Sequence, residues 1–85
     1  MRHATPAALD DLEELLARLR ELPGLTERSR GTFYRKSKAF LHFHEDPAGL
    51  FADVRFGADF ERFRASTKKE RDTLFRRVKA TVTTA

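Results

Sequence analysis

Leucine returns every three or four residues from Leu9 to Leu22, at positions 9, 12, 15, 16, 19 and 22, with polar and charged residues between. That spacing marks one face of an α-helix. Thr5 offers an N-cap and Pro6 a first helical position; Asp10, Asp11, Glu13 and Glu14 lie toward the start, and Arg18 and Arg20 toward the end. Each charge sits where the helix dipole favours it, and Pro23-Gly24 stops the run. No heptad continues past Leu22, so the stripe predicts a helix packed on a core rather than a coiled coil.

From Thr32 onward the period shortens to two, and residues 32–35, 38–45 and 50–56 read as strands. Asp46-Pro47-Ala48-Gly49 is a turn sequence between the last two. Pairing Glu45 with Leu50 across it sets Ala39, Leu41 and Phe43 opposite Phe56, Val54 and Ala52 on a core face. Phe40, His42 and His44 then oppose Arg55, Asp53 and Phe51 on the other face. A tight Lys36-Ser37 turn places Phe33 opposite Phe40, so this second face gathers Phe33, Phe40 and Phe51 among Arg35, His42, His44 and Arg55. Residues 57–59 end the third strand, and residues 60–65 fit either a helical turn or an extended stretch. Thr67 and Glu70 are spaced as a capping box ahead of Leu74, Phe75, Val78 and Val82, which predicts a closing helix that frays over residues 81–85. The expected fold is a single α+β domain over residues 1–85: α-β-β-β-α, a three-stranded antiparallel sheet with both helices on its Leu41/Val54 face.

Length narrows the possible functions. Eighty-five residues make one small domain and leave no cleft between lobes, while eight Phe and 40% hydrophobic residues argue for a folded chain. With no cysteine, disulfides, Cys-based zinc sites and thiol catalysis are excluded. No apolar run approaches the ~18 residues of a membrane span, and the N-terminus lacks the apolar stretch of a signal peptide, so a cytoplasmic protein is expected. The net charge of +4 is unevenly spread. Residues 1–27 are acidic, whereas residues 60–85 carry eight bases against Glu61, Glu70 and Asp72. Such polarity suits a polyanion at the basic end, or simply two solvated helix faces of opposite sign.

Three groups of residues carry candidate chemistry. His42-x-His44 places two imidazoles on one side of a strand with Asp53 opposite His42, and Glu45 at the strand end is a possible further ligand. Alternation brings only two imidazoles together, so a His42–Asp53 cross-strand pair is preferred to a metal site, and no cofactor is expected. Phe33, Phe40 and Phe51 form an apolar patch of the kind that marks a homodimer interface. Lys68, Lys69, Arg71, Arg76 and Lys79 form a basic helix face suited to duplex nucleic acid. No serine sits in a G-x-S-x-G elbow and no glycine run cradles phosphate, so an enzyme is not expected.

The helix, three strands and helix, with Ser66-Thr67-Lys68-Lys69-Glu70-Arg71 opening the last element, resemble the double-stranded-RNA-binding domain. That resemblance implies phosphate contacts from Lys68, Lys69 and Arg71. The first helix here is acidic, the Lys36-Ser37 turn is short, and Asp72 replaces an expected base. Phe40-Leu41-His42-Phe43-His44 followed by Ala52-Asp53-Val54 resembles a small bacterial luciferase-like domain family. Leu22-Pro23-Gly24 and Lys38-Ala39-Phe40 are similar to the MmcQ/YjbR family. Both resemblances imply an α+β domain and transfer no mechanism; both families carry a tryptophan-bearing segment that this Trp-free chain lacks. The sequence therefore points to a non-enzymatic interaction module that self-associates through its sheet face, with duplex nucleic-acid binding as the alternative.

Overall fold

The computed structural model describes residues 2–83 as an antiparallel sheet with helices on one side. The chain runs through β1 (Arg2–His3), α1 (Pro6–Asp11), α2 (Glu13–Arg20), β2 (Leu25–Ser29), β3 (Thr32–Arg35), β4 (Lys38–Asp46), β5 (Gly49–Val54), β6 (Glu61–Arg64) and α3 (Lys68–Val82). The sheet order is β2-β3-β4-β5-β6, and β1 pairs with β4 beyond the end of β3. The α+β class stands, but the sheet has six strands rather than three.

The core follows the leucine stripe. Leu12, Leu15, Leu16 and Leu19 are buried with Leu41, Phe43, Ala52 and Val54 from the sheet and Leu74, Phe75 and Val78 from α3. The β4–β5 register is the expected one, Glu45 opposite Leu50 and Leu41 opposite Val54. Thr5 Oγ1 accepts from Ala8 N at the start of α1. Thr67 and Glu70 close the expected capping box on α3, which is helical to Val82; Thr84 and Ala85 of the predicted frayed end lie outside the described residues.

Two of the three unpredicted strands share a cause. β2 and β6 are sheet edges whose inward positions include Glu27 and Glu61, so the apolar alternation is broken. Glu27 is tolerated there because Arg20 on α2 and the Gly31 N–H both reach its carboxylate. Glu61 faces Arg77 of α3. Inward charges of this kind also keep an edge from pairing with another chain. Residues 60–65 thereby resolve as the extended alternative, and β1 is too short to show any period.

One register shift rearranges the aromatic residues. Lys36 and Ser37 turn tightly with φ of 53° and 67°, as a two-residue type I′ connection needs. Tyr34 opposes Ala39, yet Phe33 opposes Leu41 instead of Phe40. β4 thus carries one extra residue, and Phe40 is rotated onto the core side, where its ring meets Phe56 edge-on at 6.1 Å. Phe33 and Phe40 are 1% and 3% exposed, so the expected outer cluster of Phe33, Phe40 and Phe51 does not exist.

α2 and α3 are tied by Arg18 Nη1 to Asp72 Oδ1 at 2.9 Å, and Lys68 Nζ reaches the other oxygen at 3.1 Å. Hydrogen bonds from Lys68 and then Arg18 hold the Asp72 carboxyl below its ordinary value. A carboxylate depressed by folding adds stability that is present above its unfolded pKa and lost as the pH falls through the folded one. Asp72→Asn should therefore melt below the wild type at pH 7, and the gap should close below about pH 4. Circular-dichroism melts across that range read it; a gap indifferent to pH contradicts the pairing.

Candidate functional site

The three helices cover one face of the sheet, which leaves the other face to the alternate residues of β4, β5 and β6. His42 and His44 of β4, Phe51 and Asp53 of β5, and Arg62 and Arg64 of β6 all belong to it by register. To these the structure adds His3. β4 has nine residues and β3 only four, so the far edge of β4 is free to pair with β1, which sets His3 opposite His44. Ala4 N donates to Phe43 O at 3.1 Å, and the Glu45 carboxylate accepts from Thr5 N. The Thr5 hydrogen bonds hold the Glu45 carboxyl below its ordinary value. Glu45 thus anchors the N-terminal segment that delivers His3 and is not itself among the converging donors.

The three imidazoles converge. One ring nitrogen from each of His3, His42 and His44 lies within 4.8 Å of the other two. The His3 and His44 rings stack at 5.0 Å, and His42 meets His44 edge-on at 4.6 Å. His42 Nδ1 and His44 Nε2 are 2.7 Å apart and share a hydrogen bond. His44 Nε2 also lies 3.2 Å from Asp53 Oδ2. Arg62 grips that carboxylate with two hydrogen bonds, Nε to Oδ1 at 2.8 Å and Nη2 to Oδ2 at 2.9 Å. Phe60 covers one side of the cluster, its ring centre 5.0 Å from that of His42.

Charge states follow from these neighbours. Burial, and after it the adjacent His44, push the His42 imidazole below its ordinary value, so it is neutral at pH 7 with a lone pair to give. Hydrogen bonds from Arg62 outweigh burial and keep Asp53, 8% exposed, ionised. His44 Nδ1 is buried without a hydrogen-bond partner among the described residues. A buried unsatisfied group costs roughly 1–3 kcal/mol, so this cluster is not arranged for stability alone.

Two imidazole nitrogens bound tetrahedrally to one ion by bonds of about 2.0–2.1 Å lie about 3.3 Å apart. The His42–His44 separation of 2.7 Å needs only a small opening to reach that, and the His44–Asp53 separation of 3.2 Å already matches it. The donor set is nitrogen-rich with one carboxylate, which suits zinc and its neighbours and does not suit calcium or magnesium.

The remaining predicted residues are dispersed. Phe51 alone of the aromatic patch stays on the open face, half-buried beneath the Arg64 guanidinium at 5.3 Å. On α3, Arg71 turns back to the Ala65 and Ser66 carbonyls and Lys68 pairs with Asp72. Of the predicted basic face, Lys69, Arg76 and Lys79 are left exposed without an ion pair among the described residues. Among the described residues no helix is long and apolar enough to cross a membrane. Comparison of the chain with protein-family models, curated proteins and solved structures returns no match.

Proposed function

We propose that this chain is a metal-binding domain that holds one divalent transition-metal ion of the zinc class through His3, His42 and His44 on the open face of its sheet. The observation that carries the reading is the convergence of three ring nitrogens from two separate strands within 4.8 Å. Asp53 stands at the rim of the same cluster, its second oxygen within reach as a fourth donor and its orientation held by Arg62. Three protein ligands with an accessible further position are the pattern of zinc sites that keep a water, whose pKa falls to about 7 there. The open face gives such a water access to solvent, since His3 is exposed.

Cobalt(II) reads the coordination directly. The wild-type protein should develop the intense visible absorption of four-coordinate cobalt at one equivalent, and zinc should bleach it. A spectrum no different from aqueous cobalt would contradict the proposal.

A further inference from the structure

Away from the imidazoles, a second feature carries an inference of its own. At the end of the sheet that bears the Lys36-Ser37 turn, a cavity of about 230 Å³ is lined by Arg35, Lys36, Lys38 and Arg55 over a floor of Phe40 and Phe56. No carboxylate lines it. Among the described residues none of these four cations makes an ion pair, whereas Arg18, Arg20, Arg30, Arg62, Arg64, Lys68 and Arg77 all do. Four like charges around one hollow repel one another; Arg35 donates to the Thr81 carbonyl and lies over Phe40, and Arg55 lies over Phe60, contacts that bring no opposite charge to the hollow. Arg55 Nε is also buried without a hydrogen-bond partner among the described residues. Lys36 occupies a left-handed turn position, φ 53°, that Asn or Gly fills at less strain. An anion seated in the cavity offsets the repulsion among these four cations.

Aromatic rings flank it on the open face. The Arg55 guanidinium lies 4.5 Å from the centre of Phe60, the one large apolar side chain exposed among the described residues, at 38%. On the neighbouring strands Arg28 lies 4.4 Å over Tyr34. Cations beside accessible aromatic faces take a phosphate and an unstacked base together. We infer that this end of the sheet binds single-stranded nucleic acid, with a backbone phosphate in the Arg35/Lys36/Lys38/Arg55 cavity and a base against Phe60. A duplex keeps its bases stacked on one another and leaves Phe60 and Tyr34 unused, so the single strand is the form these residues favour. The two sites meet at Phe60, whose ring lies 5.0 Å from that of His42, but none of the three histidines lines the phosphate cavity and strand binding requires no metal.

The test is fluorescence anisotropy of a labelled oligonucleotide of about 15 nucleotides, single-stranded and as a duplex, a length matched to small single-strand sites. The single strand should bind more tightly, with log affinity falling against log salt at a slope of about −3 for four phosphate-directed cations. Lys36→Glu with Lys38→Glu should weaken binding about 100-fold, and Phe60→Ala about tenfold. Lys36, Lys38 and Phe60 are exposed, so these variants should keep the wild-type circular-dichroism spectrum and melt. Binding should survive EDTA. Equal affinity for the duplex, or losses confined to charge reversal at Lys69, Arg76 and Lys79, would overturn the assignment. So would failure to bind strand together with a concentration-dependent doubling of mass, which would give the cavity to the acidic helix of a second copy.

Discussion

Phe33→Ala should cost the domain about 3–5 kcal/mol, the usual loss for deleting a fully buried aromatic ring. Phe33 is 1% exposed, pairs with Leu41 across the sheet and belongs to the buried cluster that also holds the leucines of α1 and α2. A domain of this length has roughly 4–13 kcal/mol in all, so the variant should lie near the edge of folding. Phe40→Ala should cost a similar amount, because the Phe40 ring is 3% exposed and meets Phe56 edge-on at 6.1 Å. By contrast Phe51→Ala, on the open face under Arg64, should cost about 1 kcal/mol. Urea unfolding followed by circular dichroism separates the three. If Phe33 and Phe40 instead lined an interface, as strict alternation along β4 implies, both variants would stay folded and become monomeric.

The second large effect concerns the metal. Zinc at about 100 times its dissociation constant should stabilise the native state by about 2.7 kcal/mol. For a domain of this size that amounts to a rise of roughly 10–20 °C in melting temperature. His3→Ala removes a ligand from the exposed end of the sheet, and the loss of one ligand of three should lower affinity at least about 100-fold. At the same zinc concentration the shift should then shrink to a few degrees, about 0.4 kcal/mol of stabilisation. The apo melting point of His3→Ala should stay near that of the wild type, because His3 is exposed and ends a two-residue strand. An unchanged zinc shift in His3→Ala would remove His3 from the site.

Much of this architecture is legible in the sequence. The leucine stripe, the Thr67/Glu70 capping box and the β4–β5 register all appear, because each rests on a local pattern reinforced by a turn or a cap. The edge strands are not legible: β2 and β6 are half-solvated and carry Glu27 and Glu61 on their inner side, where ion pairs replace apolar contacts. The extra residue at Phe40 has a faint signal, since Ala39-Phe40-Leu41 is a run of three apolar positions in an otherwise alternating strand. Its consequence, the burial of Phe33 and Phe40, depends on the pairing partner and so on tertiary structure.

The site was half visible. His42, His44 and Asp53 share a face by parity and strand register, which alternation predicts. His3 lies forty residues from the strand it joins and has no periodic context. The signal available was a mismatch in length: a nine-residue strand beside a four-residue one leaves hydrogen-bonding groups that need another partner, and the N-terminal segment supplies it.

The three-histidine site is tested most directly by the side-chain nitrogen spectrum of uniformly ¹⁵N-labelled protein, recorded after EDTA treatment and again with one equivalent of zinc. All three imidazoles should move together, each with one nitrogen shifted to the metal-bound position, and the change should be complete at one zinc per chain. Three imidazoles whose nitrogens are unchanged by zinc, or a shift of His42 and His44 with His3 unaffected, would contradict it.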